Sequence, residues 1–352
     1  LKIKEENGDK NGIAASLGNI GNIYLGQGDY PKALDYFQRS LKIKEENGDR
    51  KIANSLRGIG NIYSMQGDDS TALEYFHRSL NISQELEDKK GMASSLNNIG
   101  FTYFKQGQYI KALDYYQRRL KLSEELGDIV GRVGATERIG GIYKRQGDYT
   151  AAIDYGLRSL KIREEIGDKN GIASSLNNIG TNHFEQGNYP KAIDYFQRSL
   201  KISQELEDKK GMASSLNNIG AIYGEQGNYT KALDYYQRSL KVGEEIEDKI
   251  GISNTLDNIG SIYNDKEGDY LKALDYYHRS LKIREEIGDK NGIAGSLNNI
   301  GTIYRDQGDY IKSMDYFQRA LKISEEIGDK KSNATTIQSI GHTYYKWKKR
   351  TN

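Results

Sequence analysis

Residues 175–202 read S-L-N-N-I-G-T-N-H-F-E-Q-G-N-Y-P-K-A-I-D-Y-F-Q-R-S-L-K-I, and the same string with a few changes runs through the whole chain. Aligned on Leu41, Leu80, Leu120, Leu160, Leu200, Leu240, Leu281 and Leu321, the copies fall at intervals of 39, 40, 40, 40, 40, 41 and 40 residues. A fixed period of this size marks a repeat architecture, in which each unit buries its apolar face only against its neighbours. The two irregular intervals have local causes. One residue is missing before Ile52, where other units carry Gly12, Gly91 or Gly171 ahead of the apolar position, and one is added at Lys266-Glu267, in the turn expected between helices. Loops absorb such changes at small cost.

In the first half of a unit apolar residues recur at i, i+3 and i+7, as in Leu17, Ile20 and Tyr24, and Ala33, Leu34, Phe37, Leu41 and Ile43 continue the pattern in the second half. This is helical spacing, so each unit is predicted to be a helical hairpin. Gly28 suits the left-handed residue that ends the first helix, and Asp29, Asn188 or Asn228 can cap the second. Gly48-Asp49 and Gly167-Asp168 repeat the device between units, while Glu87, Glu207 and Glu247 stand where Gly is expected. Gly21 and its counterparts Gly60, Gly100, Gly140, Gly180, Gly220, Gly260, Gly301 and Gly341 lie inside the first helix. Each costs about 1 kcal/mol there, a cost explained if another backbone approaches closely.

These residues resemble the tetratricopeptide repeat, with Leu17, Ile20-Gly21, Tyr24, Gly28-Asp29-Tyr30, Ala33 and Phe37 at the signature spacing. The resemblance covers nearly the whole chain. The usual Trp at the first position is Leu here, and the family's Pro near the end of the second helix is replaced by Glu45 and its equivalents, so that helix is expected to reach about Asn47. The longer unit is similar to the repeats of partner-of-inscuteable proteins, kinesin light chains and bacterial regulatory arrays. The resemblance implies an all-α, right-handed superhelical solenoid with a peptide-binding groove. Residues 80–100 return almost unchanged at 200–220, and 160–180 at 281–301, which points to duplication of a three-unit block.

With 51 basic and 49 acidic residues the net charge is +2, so no global field attracts nucleic acid or an anionic membrane. There is no Cys, which excludes disulfides and thiolate metal sites, and no long apolar run for a membrane span. The favoured compartment is the cytoplasm. Leu1 begins inside what should be a second helix, which reads as a fragment or a processed piece, and Lys346-Trp347-Lys348-Lys349-Arg350 replaces the turn and second helix of a ninth unit. That terminal helix, at about 330–348, is read either as a polar cap or as a cut before a further element.

Catalysis finds little support. His77, His183, His278 and His342 lie in different units, and acidic pairs such as Glu45-Glu46 recur on every second helix as a solvated face does. Asp35 and Arg39, repeated as Asp114/Arg118, Asp194/Arg198 and Asp315/Arg319, are spaced to pair along a helix. Neither a catalytic residue, nor a metal site, nor a cofactor is predicted.

The informative positions are those the hairpin does not need. The first helix turns residues 15, 19, 22 and 26 away from its partner, and on that face Asn19, Asn98, Asn178, Asn218, Asn258 and Asn299 form a column interrupted by Gly58, Arg138 and Ser339. Asn is a poor helix former, and its carboxamide matches the donors and acceptors of an extended peptide. The rival reading has the same side chains bonding across to the next helix. Around the column Arg57, Lys105, Arg138, Lys144 and Arg145 make the N-terminal half basic, opposed by Glu137. Glu185, Glu225, Asp257, Asp265 and Asp306 make the other half acidic, opposed by Arg305. Phe101, Phe104 and Phe184 are either groove anchors or buried between helices. The predicted peptide-binding set is Asn19, Asn22, Asn61, Asn98, Phe101, Arg138, Arg145, Asn178, Asn218, Asn258, Asp265 and Asn299. The chain as a whole, residues 1–352, reads as a single array of about eight repeats, a non-enzymatic scaffold that binds a peptide segment of a partner protein. The alternatives are the regulatory or sensory region of a larger signalling protein and a self-associating structural array.

Overall fold

Capping chemistry sets where the helices begin. The computed structural model describes residues 8–49 and 51–351, and among them are seventeen α-helices and no strand. They divide into two compact units at Ile166/Gly167. The first unit holds four hairpins: α1 (Lys10–Gly26) with α2 (Tyr30–Glu46), α3 (Ile52–Met65) with α4 (Asp69–Glu85), α5 (Lys89–Lys105) with α6 (Tyr109–Leu126), and α7 (Ile129–Arg145) with α8 (Tyr149–Glu165). The second holds α9 (Lys169–Glu185) with α10 (Tyr189–Glu205), α11 (Lys209–Glu225) with α12 (Tyr229–Glu245), α13 (Lys249–Glu267) with α14 (Tyr270–Ile287), α15 (Lys290–Gln307) with α16 (Tyr310–Glu326), and a last helix α17 (Lys330–Thr351). Odd-numbered helices are therefore the first helices of the repeats. The partial helix expected at 1–8 falls outside the described residues except for Gly8.

An Asp three residues ahead of Gly opens the odd helices. Asp88 Oδ1 accepts from the Gly91 amide at 3.0 Å, Asp168 from Gly171 at 2.9 Å and Asp289 from Gly292 at 3.0 Å. A Cβ on Gly91 or Gly292 would collide with the second oxygen of that same carboxylate in the orientation it takes here. The residue missing before Ile52 removes this device: α3 opens at Lys51 without a side-chain cap and runs for 14 residues. The extra residue near Lys266-Glu267 corrects the loop expectation, because α13 lengthens to 19 residues and ends on left-handed Gly268 (φ 56) instead of widening the turn. The second-helix caps are as expected, with Asp29, Asn188 and Asn228 accepting from the amides of Lys32, Lys191 and Lys231.

Inside most hairpins the helical glycine faces an aromatic ring, while the expected backbone approach is met at Gly60 and Gly140, where the Ala72 and Ala152 carbonyl oxygens lie 3.2 and 3.5 Å from where a Cβ would stand. A Cβ on Gly180 would stand 2.8 Å from the Phe196 ring, and one on Gly220 2.8 Å from Tyr236. The same rings reach the following hairpin: Phe37 packs with Ile59 and Ile62, and Phe196 with Ile219 and Ile222. Buried serines add polar links, as where Ser199 Oγ donates to the Ala173 carbonyl at 2.8 Å. At the outer edge Tyr24 stacks on Tyr36 with centroids 5.4 Å apart, Tyr223 on Tyr235 at 5.5 Å, and His183 takes the tyrosine's place over Tyr195 at 5.4 Å. Asp35–Arg39 and Asp114–Arg118 pair at 3.4 and 3.6 Å on the exposed surface, where such pairs are worth about 0.3–0.5 kcal/mol. No helix among the described residues is long and apolar enough to cross a membrane.

Candidate ligand-binding face

Successive odd helices lie side by side within each unit, and their residues turned away from the even helices make one polar face per unit. In the first unit α1 and α3 border a cavity of about 500 Å³ lined by Asn19, Asn22, Asn61, Arg57 and Lys44. Asn19 and Asn22 are exposed and Asn61 is half-buried. Lys44 comes from α2. Its Nζ donates to Ser55 Oγ at 3.0 Å and to the Lys51 carbonyl at 3.3 Å, and burial holds its ammonium below the usual lysine range. Burial acts on the Arg57 guanidinium in the same direction.

Further along, Asn98 Nδ2 donates to Asn61 Oδ1 at 3.0 Å. The next residue in that column, Arg138, lays its guanidinium 5.5 Å from the centre of the Phe101 ring, which remains 38% exposed. Arg145 and Lys144 are exposed at the end of α7. Two charges read as groove residues are internally paired: Lys105 with Asp69 at 2.8 Å, and Glu137 with Arg163 at 2.7 Å.

In the second unit Asn178 is exposed on α9. Asn218 Nδ2 donates to Asn177 Oδ1 at 3.0 Å, and Asn258 Nδ2 to Asn217 Oδ1 at 3.0 Å. A cavity of about 350 Å³ is lined by Asn217, Asn218, Asn254 and Lys210, and another of about 470 Å³ by Glu225, Asn258, Ser261, Asp265 and Tyr236. Asp265 accepts from Asn264 Nδ2 at 3.2 Å. Asn299 is half-buried, and its neighbour Asn298 donates to Thr336 Oγ1 at 2.9 Å. Asp257 is not a groove charge. It pairs with Arg284 at 2.7 Å, both side chains are nearly buried, and burial raises the carboxyl above its ordinary value despite the guanidinium.

The structure thus gathers Asn19, Asn22 and Asn61 around one cavity, joins Asn98 to Asn61 and Arg138 to Phe101, and sets Asn258 beside Asp265. Asn178, Asn299 and Arg145 line none of these three cavities. Half of the column is engaged in bonds between helices, as the rival reading of the sequence had it. Sequence reasoning overlooked the acceptors Asn177 and Asn217 and the buried Lys44. The doubled Asn-Asn of the repeat was the available signal for the first two. Among the described residues there is no cluster of three or more acidic or imidazole side chains able to hold a metal ion.

Family models described as tetratricopeptide repeat match residues 14–47, 51–125, 132–205, 211–291 and 292–350. No curated protein sequence matches the chain. Among solved structures, the apo form of RapI is similar with a TM-score of 0.60 at 19% identity, covering 78% of this chain and 98% of RapI. A STAND signal-transduction ATPase with a tetratricopeptide repeat sensor, from Pyrococcus horikoshii, gives 0.62 at 16% identity over 92% of this chain and 50% of that one. Rap protein complexed with competence and sporulation factor gives 0.53 at 16% identity over 96% and 99%. At such identities the likeness is one of fold.

Proposed function

The chain belongs to the tetratricopeptide repeat family, and from that premise we propose that it is a non-enzymatic interaction scaffold holding an extended segment of a partner protein along the odd-helix face. The carrying observation is the recurrence on this face of cavities of about 350–500 Å³, each lined by carboxamides and charged groups from successive odd helices. Carboxamides offer donor and acceptor together, so they pair with backbone peptide groups whatever the ligand's side chains. Specificity then rests on what differs between repeats: the Arg138–Phe101 pair in the first unit, and Glu225 with Asp265 in the second.

The experiment is a peptide-display selection on the purified chain, followed by alanine substitutions of two kinds. Asn22→Ala with Asn178→Ala removes exposed amides and is expected to cost the selected ligand about 1–3 kcal/mol of binding while the melting temperature stays put. Asn218→Ala removes an amide bonded between helices and is expected to cost about 0.5–1.5 kcal/mol of stability. Unchanged affinity in the first pair would leave the asparagines with a purely structural role and sink this reading.

A second reading is that the array is the sensory or regulatory part of a larger signalling protein. It is favoured by the fold match that spans only half of the STAND ATPase, a protein whose own description names a tetratricopeptide repeat sensor. Sequencing the flanking coding region separates the two readings: an in-frame ATPase, kinase or cyclase module supports the second.

A further inference from the structure

Two even helices carry an arginine near their C-terminal end, and each time the odd helix of the same hairpin supplies its counter-charge. Arg163 of α8 pairs with Glu137 of α7 at 2.7 Å, and Arg284 of α14 with Asp257 of α13 at 2.7 Å. In α2 the same register holds Lys44, which is 6% exposed, but the place of Glu137 and Asp257 is taken on α1 by Gly18. In the remaining repeats the register is not basic: Ser83, Ser123, Ser203, Gly243 and Ser324 stand there. The irregular junction before Ile52 adjoins this lysine. Its Lys51 carbonyl and Ser55 Oγ take two of the three ammonium donors. Arg57, half-buried on α3, donates to Asn54 Oδ1 and to Ser79 Oγ. Among the described residues neither Lys44 nor Arg57 has an ion-pair partner. Asp49 and Asp88 act on them from a distance, and those carboxylates accept from the Lys51 and Gly91 amides at 2.9 and 3.0 Å. Charges held out of water are ordinarily paired.

We propose that the cavity of about 500 Å³ walled by α1, α2 and α3 binds a phosphate monoester, seated where Gly18 omits the carboxylate, with the Lys44 ammonium and the Arg57 guanidinium as its counter-charges. All three walls belong to the first unit. The lining side chains include Lys44, Lys51 and Arg57 against one carboxylate, Asp49, which is a net charge of +2. One carboxylate of the kind that satisfies Arg163 or Arg284 would leave a cation over. A phosphate monoester, with about −1.5 to −2 charges at neutral pH and three acceptor oxygens, would not. The carboxamides agree with an acceptor-rich ligand. Asn54 and Asn61 give their Oδ1 atoms to Arg57 and Asn98, which leaves Nδ2 of each to donate, and Asn19 and Asn22 add further amides to the same wall. Hydrogen bonds from charged donors to such oxygens are the strong ones. The site stands on this geometry whether or not an extended segment lies along the odd-helix face.

The probes are a fluorescent glycine peptide with phosphoserine at its centre, the same peptide with serine or glutamate there, and glycerol 3-phosphate as competitor, all titrated with the full chain. Saturable binding of the phosphopeptide is expected, about tenfold or more tighter than that of either other peptide, and weakened about tenfold or more by Lys44→Ser and by Arg57→Asn. Both substitutions install the residue that other repeats carry at that register. Gly18→Asp restores the internal carboxylate and is expected to abolish binding. Its melting temperature should stay put or rise, because the nearest atom to a Cβ at Gly18 is Ser40 Oγ, at an ordinary 3.6 Å. Competition by glycerol 3-phosphate at a concentration similar to that of the peptide supports the site with a small organic phosphate as its source; a need for about tenfold excess or more supports it with a phosphorylated side chain. Three results would overturn the proposal: no binding at millimolar phosphopeptide, equal binding of the glutamate peptide, which would give the cavity to a carboxylate, or binding that survives Lys44→Ser and Gly18→Asp alike, which would place the phosphate elsewhere.

Discussion

His183 stands on α9 where other odd helices carry tyrosine, buried and stacked on Tyr195. Burial, helped by the Lys191 ammonium, holds its pKa below the ordinary histidine value of 6.5. Between the folded value and 6.5 the unfolded chain binds a proton that the folded chain refuses, so stability rises with pH through that interval and is lost as pH falls through it. His183→Tyr should therefore flatten the acid side of the melting-temperature profile below about pH 6.5 relative to the parent, which thermal melts at a series of pH values will read. Carboxylates titrate equally in both proteins, so the difference isolates the imidazole. Gly180 tests the same helix sterically. Leu there must displace the Phe196 ring, and overpacking of this kind costs about 1–3 kcal/mol of stability, read as a lowered urea midpoint. An unshifted midpoint would contradict the packing described.

At the scale of the element, junctions between repeats show where sequence reading succeeds and where it stops. The period alone located the hairpins, since every helix packs on its sequence neighbours and no distant pairing had to be guessed. Left-handed positions were legible from Gly167 and its equivalents, and so were the exceptions. Glu207 sits at φ 54 and Glu87 at φ 52, a region that costs a side-chain-bearing residue about 1–2 kcal/mol. Glu207→Gly should stabilise the second unit by about 0.5–1 kcal/mol once the larger entropy of glycine in the unfolded chain is subtracted, measurable by chemical denaturation. The acceptors of the asparagine column were not legible. Asn98 reaches Asn61, three residues along the face from the column position of α3, but Asn218 and Asn258 reach Asn177 and Asn217, one residue before it. The reason is local: Thr181 and Ala221 occupy the Asn61 position in α9 and α11, so the carboxamide turns to the nearest one available. The Asp257–Arg284 pair escaped notice because a sequence gives charge but not burial, and an acidic residue on a presumed groove looks the same whether it faces water or a guanidinium.

For the whole molecule, a net charge of +2 conceals an uneven distribution that outlasts the internal pairing. With Lys105, Glu137, Asp257 and Asp306 committed to ion pairs, the other exposed charges read as groove residues are Arg138, Lys144 and Arg145 in the first unit and Glu185, Glu225 and Asp265 in the second. Under the proposed function, a ligand segment on the first unit would suit acidic side chains and one on the second unit basic ones. Arg145→Glu should weaken a selected ligand carrying an acidic segment, and Asp265→Lys one carrying a basic segment, each by about 0.2–1 kcal/mol because the groups are solvent-exposed. Both losses should shrink as salt is raised from low to physiological ionic strength and beyond, since the screening length falls with it. Titration calorimetry of the two variants against acidic and basic ligands over a salt series provides the check. Equal losses for both variants, indifferent to ligand charge and to salt, would mean that specificity lies instead in shape, with the Arg138–Phe101 pair as the first position to examine.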